Sequence, residues 1–132
     1  MRILALDHGE ARCGCAVSDP TGTLASPLAA VERPDSRRGL ARLAALSREL
    51  AAELVIVGLP LTLAGEEGPQ AARAREFAAR LGTRVNVPVE LTDERLTTRM
   101  AEAGGGSADP DSRAAAHLLE GYLAARSAPA GR

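Results

Sequence analysis

The sequence predicts an α/β domain: a five-stranded mixed sheet with helices packed on both faces. Three observations predict it. Short apolar runs end at turn residues, as buried strands do. Leucines at helical spacing follow a capping pair. The element order changes along the chain, from three strands in succession to an alternation of strand and helix. Successive strands pair antiparallel, whereas strand–helix–strand units make right-handed parallel crossovers, so one sheet must contain both.

Residues 3–6 form an apolar run closing on Asp7, which reads as a buried strand with an acid at its C-terminal edge. Gly9 permits a tight turn, and residues 13–17 return as the second strand of a hairpin. Ser18, Asp19, Pro20, Thr21 and Gly22 make the next turn. Residues 25–31 form a third strand, placed near a sheet edge by Pro27, which cannot donate to a ladder. Asp35 and Ser36 can cap a helix over 37–52, along which Leu40, Leu43, Leu46 and Leu50 repeat. Residues 54–58 are continuously apolar, as in a central parallel strand. A loop over 59–68 leads to Pro69, which starts a helix over 69–81 with Ala72, Phe77 and Leu81 facing inward. A fifth strand spans 85–91 and ends in Thr92, Asp93 and Glu94. A short helix is expected over 97–103, broken by Gly104, Gly105 and Gly106. A final helix spans 111–126. Residues 1–126 are expected to form one domain, with 127–132 a flexible tail.

Composition narrows the function classes. Hydrophobic residues make up 45% of the 132, enough for a core, yet Phe77 and Tyr122 are the only rings of their kind, so base stacking on aromatic platforms is nearly excluded. A net charge of −1 argues against a protein that coats nucleic acid by electrostatics alone. It allows a nuclease, whose active-site acids offset basic residues in the sum. All 16 basic residues are arginine. Cys13 and Cys15, two apart in a strand, read as small buried hydrophobes in a reducing cytoplasm rather than half a zinc site. The apolar start is too short for a signal peptide, and no stretch is long enough to span a membrane, so a cytoplasmic location is expected.

The topology gathers acids. Asp7 ends the first strand, Asp93 and Glu94 follow the fifth, and Asp111 opens the last helix. Sites in α/β sheets form beyond the C-terminal ends of parallel strands. Carboxylates brought together there repel unless a cation neutralises them, and oxygen ligands of this kind suit Mg²⁺ or Mn²⁺. Two such ions roughly 4 Å apart can activate water and stabilise the leaving oxygen of a phosphodiester. Taken singly, each acid also reads as a turn residue, a surface ion pair or a helix cap. Asp7 to Gly14 carries the spacing D-x-G-x-x-R-x-G, in which glycines let backbone approach a phosphate and Arg12 adds a fork of donors. Arg95 and Arg113 lie beside the acids and can meet substrate or orient carboxylates. Arg37, Arg38 and Arg42 read as the solvated face of a helix, as do Arg73, Arg80 and Arg84. His8 can shuttle a proton or be a turn residue without a role; His117 reads as packing.

These motifs resemble the YqgF (RuvX) family. The likeness is carried by residues 3–9 and 12–20, by Val57 to Leu61 with Gly65 and Glu67 to Gln70, by Asp93-Glu94-Arg95-Leu96-Thr97-Thr98, and by Asp111 to Ala115 with Leu118, Leu119, Tyr122 and Leu123. The resemblance implies an RNase H-like fold related to Holliday-junction resolvases. It implies maturation of the 5′ end of pre-16S ribosomal RNA, or cleavage of branched DNA, and so a nucleic-acid partner and contact with the ribosomal subunit. It implies Asp7, Glu94 and Asp111 as catalytic metal ligands, with Gly9, Arg12, Arg95 and Arg113 toward substrate. Ala11 stands where relatives carry a basic residue, Thr62 and Ala64 replace polar positions, and the segment between Thr98 and Asp111 is short and glycine-rich.

Three functions remain to be separated: a metal-dependent nuclease, a nucleotide-binding ATPase module opening on the Asp7 hairpin, and a non-catalytic assembly factor that grips RNA. The ATPase reading lacks the second domain needed to close over ATP. The chain is expected as a monomer or a homodimer.

Overall fold

A computed structural model describes residues 1–94 and 110–127. Five strands, β1 (Ile3–His8), β2 (Arg12–Ser18), β3 (Ala25–Glu32), β4 (Leu54–Leu59) and β5 (Val89–Asp93), form one sheet in the order β3-β2-β1-β4-β5. β1, β2 and β3 pair antiparallel, while β4 lies parallel to both β1 and β5. Helices α1 (Arg37–Glu49), α2 (Pro69–Gly82) and α3 (Pro110–Ser127) complete the described structure. The expected five-stranded mixed sheet is present, with helices on both faces.

Strand alternation sorts the core into two layers. Leu4, Leu6, Cys13, Cys15, Val55 and Val57 point to one face and pack under Leu40 and Leu43 of α1 and Phe77 and Leu81 of α2. Ile3, Ala5, Ala16, Leu54 and Ile56 point to the other and meet Ala115, Leu118 and Leu119 of α3. The small alanines on this second face let α3 lie close. Both cysteines are free and fully buried, as small apolar residues should be. Pro27 lies in edge strand β3, opposite Ala16, where its missing N–H breaks no central ladder.

Several boundaries differ from expectation. Ser36 caps α1 by accepting the Gly39 N–H at 3.0 Å, but the helix stops at Glu49 rather than 52, with Ala51 turning left-handed at φ 54°. β5 begins at Val89 rather than Val85. Pro88 has no N–H to offer, and the ladder opens only as its carbonyl accepts from Val55. In α2, Ala72 is exposed and the buried stripe runs through Ala71, Ala74, Phe77, Ala78 and Leu81. Five residues separate Ala72 from Phe77, which turns it roughly 140° away from that stripe. The helix expected over 97–103 and residues 128–132 of the expected tail lie outside the described residues. Among the described residues no helix is long and apolar enough to cross a membrane.

Candidate active site

The site is organised by one row across the sheet. Asp7, near the end of β1, pairs with Gly14 of β2, and the β1–β4 register runs through Leu6 and Val57 toward Gly58 on the other side. Two glycines therefore flank one aspartate, all three on the face that carries α3. Each glycine leaves room for a second acid. A Cβ on Gly58 would stand 2.7 Å from Cγ of Glu94, whose side chain folds back over β4 from the end of β5. A Cβ on Gly14 would collide with the backbone carbonyl of Asp111 in the first turn of α3. Gly14 thus serves the seating of a helix, not the approach of a phosphate that its place in the hairpin motif suggested. Ser112 completes that seating: its buried hydroxyl accepts the Cys15 N–H at 3.2 Å, where β2 shifts register against β3.

Asp7 and Glu94 share a hydrogen bond. Burial, and then the nearby charge of Asp111, push Asp7 up to about 6. Burial, and then the charge of Asp7, push Glu94 up to about 7. Each acid is held less acidic than an ordinary carboxyl, because two buried charges in contact repel. Asp93, one residue earlier, pairs in register with Leu59; it is the Glu94 carboxyl that meets Asp7.

Asp111 approaches but does not close the cluster. Its Oδ2 lies 3.4 Å from Nε of Arg12, with both side chains about half exposed. Among the described residues no three His, Cys, Asp or Glu side chains are gathered closely enough to hold a metal ion. The three acids expected from the sequence therefore appear as a hydrogen-bonded pair and a third carboxylate within electrostatic reach. Arg12, expected to face substrate, faces Asp111.

A cleft of about 180 Å³ opens over the pair, lined by Asp7, Gly9 and Glu94 with His8, Glu10, Pro60, Gln70 and Arg73. Gly9 is required by the turn itself, since a Cβ there would stand 2.6 Å from the Arg12 carbonyl. Gln70 comes from the first turn of α2, which has no acidic residue and no side-chain cap, and Arg73 from the next turn. Arg73, expected on a solvated face, lines this cleft instead. The signal that could have found it is its place three residues after Gln70, at the start of the helix that follows Pro60 and its loop, so that both share one helical face toward the strand end. His8 is neither in a turn nor free. Its side chain is 5% exposed, its Nε2 lies 2.8 Å from Oδ2 of Asp35, and its ring stacks on Phe77 at 4.6 Å. Arg113 does not line the cleft; its Nε is buried with no hydrogen-bond partner among the described residues. Arg95 lies outside the described residues.

The chain is similar to known proteins at two levels, sequence and fold. The family described as "RuvX: Holliday junction resolvase" matches residues 1–125. A protein of Nocardioides sp. is 51% identical over 109 residues, spanning 76% of this chain and 67% of its own. One from Chloroflexus aurantiacus is 41% identical over 133 residues, spanning 94% of this chain and 87% of its own. Both carry the name "Putative pre-16S rRNA nuclease". Among solved structures, Thermus thermophilus RuvC in complex with a Holliday junction substrate aligns with a TM-score of 0.67 at 15% identity, over 97% of each chain. The fowlpox virus Holliday junction resolvase aligns at 0.55 and 16% identity, over 95% of this chain and 99% of that one. The structural likenesses establish the RNase H-like fold. The sequence match, continuous from the Asp7 hairpin through the final helix, goes further: this protein belongs to the RuvX (YqgF) family.

Proposed function

We propose that this chain is a divalent-metal-dependent nuclease that hydrolyses phosphodiester bonds, with the 5′ end of pre-16S ribosomal RNA as its substrate. The observation that carries the reading is the buried Asp7–Glu94 pair with Asp111 nearby. Two carboxylates buried in contact, and a third close enough to raise Asp7, are costly as a structural device. They are what a hard cation needs. The donor set fits Mg²⁺ or Mn²⁺: Asp7, Glu94 and Asp111 would hold it, all through oxygen. A bound cation of this kind supplies charge neutralisation at the carboxylates and Lewis-acid polarisation of phosphate and water.

The other groups act on the substrate. Arg73 places a guanidinium at the mouth of the cleft, where it can take a phosphate oxygen in a forked contact. The uncapped first turn of α2 directs backbone N–H groups to the same side, and anions bind at such ends. The Asp35–His8–Phe77 stack holds the end of β1, and so keeps Asp7 in place relative to Glu94. Positioning of this kind contributes more to phosphoryl chemistry than any single proton transfer.

The test is cleavage of labelled structured RNA, and of a four-way DNA junction, with Mn²⁺, Mg²⁺ or chelator. Wild type and Asp7→Asn are run side by side. Metal-dependent cutting of RNA, lost in Asp7→Asn, supports the reading. Preference for the junction makes the protein a DNA resolvase. Binding of RNA without any cutting makes it an assembly factor.

A further inference from the structure

The active-site cleft, at about 180 Å³, is smaller than the roughly 300–1,000 Å³ of ordinary small-ligand pockets. A polynucleotide is longer than such a cleft, so it also contacts the protein outside it. A second cavity, of about 600 Å³, lies between β3 and α1. Arg33, Arg38 and Arg42 line it, with Glu32 the one acid among the lining residues. Arg42 pairs loosely with Glu49 at 3.5 Å, both ends exposed. Arg33 and Arg38 make no ion pair among the described residues.

The backbone ties this cavity to the active site. Arg33 N–H donates to the Ala11 carbonyl at 2.9 Å, and Ala11 follows Glu10, which lines the catalytic cleft. The same residue is held in an unfavourable conformation. Arg33 has φ 48°, a left-handed backbone in which a long side chain is uncommon and Gly or Asn would be at ease. Its carbonyl accepts from both the backbone and the hydroxyl of Ser36, and Gly39 is pressed against it with no space for a Cβ. The fold needs that backbone conformation; nothing in the described hydrogen bonding needs arginine there.

We infer that Arg33, Arg38 and Arg42 form an accessory binding site for the sugar–phosphate backbone of the nucleic acid, carrying the strand from the catalytic cleft across the Gly9–Ala11 turn onto α1. The inference rests on the nuclease reading above and extends it to substrate length. Arginine forks read phosphate without regard to sequence, which suits a site that positions rather than specifies. A short oligonucleotide confined to the cleft would not reach this site, and a longer strand would.

The experiment measures binding of a labelled structured RNA of about 30 nucleotides by fluorescence anisotropy across roughly 50–200 mM salt, in the presence of Ca²⁺. It uses wild type, Arg33→Gln/Arg38→Gln, Arg33→Gly and, as control, Arg84→Gln on the distant turn after α2. The double variant should bind about tenfold more weakly, with the slope of log affinity against log salt reduced by about 1.5. Arg33→Gly should bind more weakly while melting no lower than wild type, which separates the lost charge from any damage to the fold. Equal affinity and slope in the double variant and wild type would overturn the accessory site and leave the nuclease reading standing. Wild-type protein that does not bind the RNA would overturn both.

Discussion

Nε of Arg12 stands 3.4 Å from Oδ2 of Asp111, joining the hairpin after Asp7 to the first turn of α3. The contact makes Arg12 a rival of any cation for that carboxylate. With Arg12→Gln, Mn²⁺ should bind a few-fold more tightly by isothermal titration while RNA cleavage falls. In an Asp111→Asn background the gain in metal affinity should vanish, because the competition has lost its object. A gain that persists in that background would assign Arg12 a general field effect instead.

Asp7→Asn should abolish cleavage, by at least about 100-fold, and yet raise stability at pH 8. The sign follows from the acids' raised values. Both bind a proton more tightly folded than unfolded. Stability from this pair is therefore fully present below about pH 4 and is lost as pH rises through 6 to 7. Without divalent metal, the melting temperature of wild type should fall by roughly 5 °C between pH 5 and pH 8 beyond the change in Asp7→Asn. Added Mn²⁺ should restore most of it. Equal pH profiles for the two proteins would show that the acids are not in contact in solution.

The two glycines beside Asp7 should fail in different ways. Gly58→Ala pushes against the Glu94 side chain, which can swing away. The variant should fold with a loss of about 1 kcal/mol or less and lose most of its cleavage. Gly14→Ala pushes against the Asp111 backbone, which cannot swing without lifting α3. It should lose about 3 kcal/mol in urea unfolding. Similar stabilities for both would contradict this division between side-chain and backbone contact.

Ser112→Ala removes the acceptor of the Cys15 N–H and leaves that buried donor without its partner. Urea unfolding should show a loss of about 1–3 kcal/mol. The loss should appear whether or not metal is present, which distinguishes an anchor of α3 from a residue of the metal site.

Periodicity and punctuation in the sequence determine the architecture. The Asp7 hairpin, the apolar run of β4, Pro27 on an edge, the Ser36 cap and the Pro69 helix start are local choices, each set by a few adjacent residues. Asp7 and Asp111 are legible as acids at element ends, with Asp93 and Glu94 as alternatives for the third. Contacts between distant segments could not be read this way. That Glu94 rather than Asp93 meets Asp7 follows from the pairing of β5 with β4, in which Val89 and Leu91 pack toward α1 and α2 and Asp93 lies opposite Leu59. That Gly14 seats a helix, Arg12 holds Asp111, Arg73 enters the cleft and Arg33 lines a cavity beside it are all long-range results. The reason is physical. Local sequence fixes backbone dihedrals and which side of an element is apolar, whereas a charged side chain on a polar face goes to whichever partner the packing of other elements brings within reach.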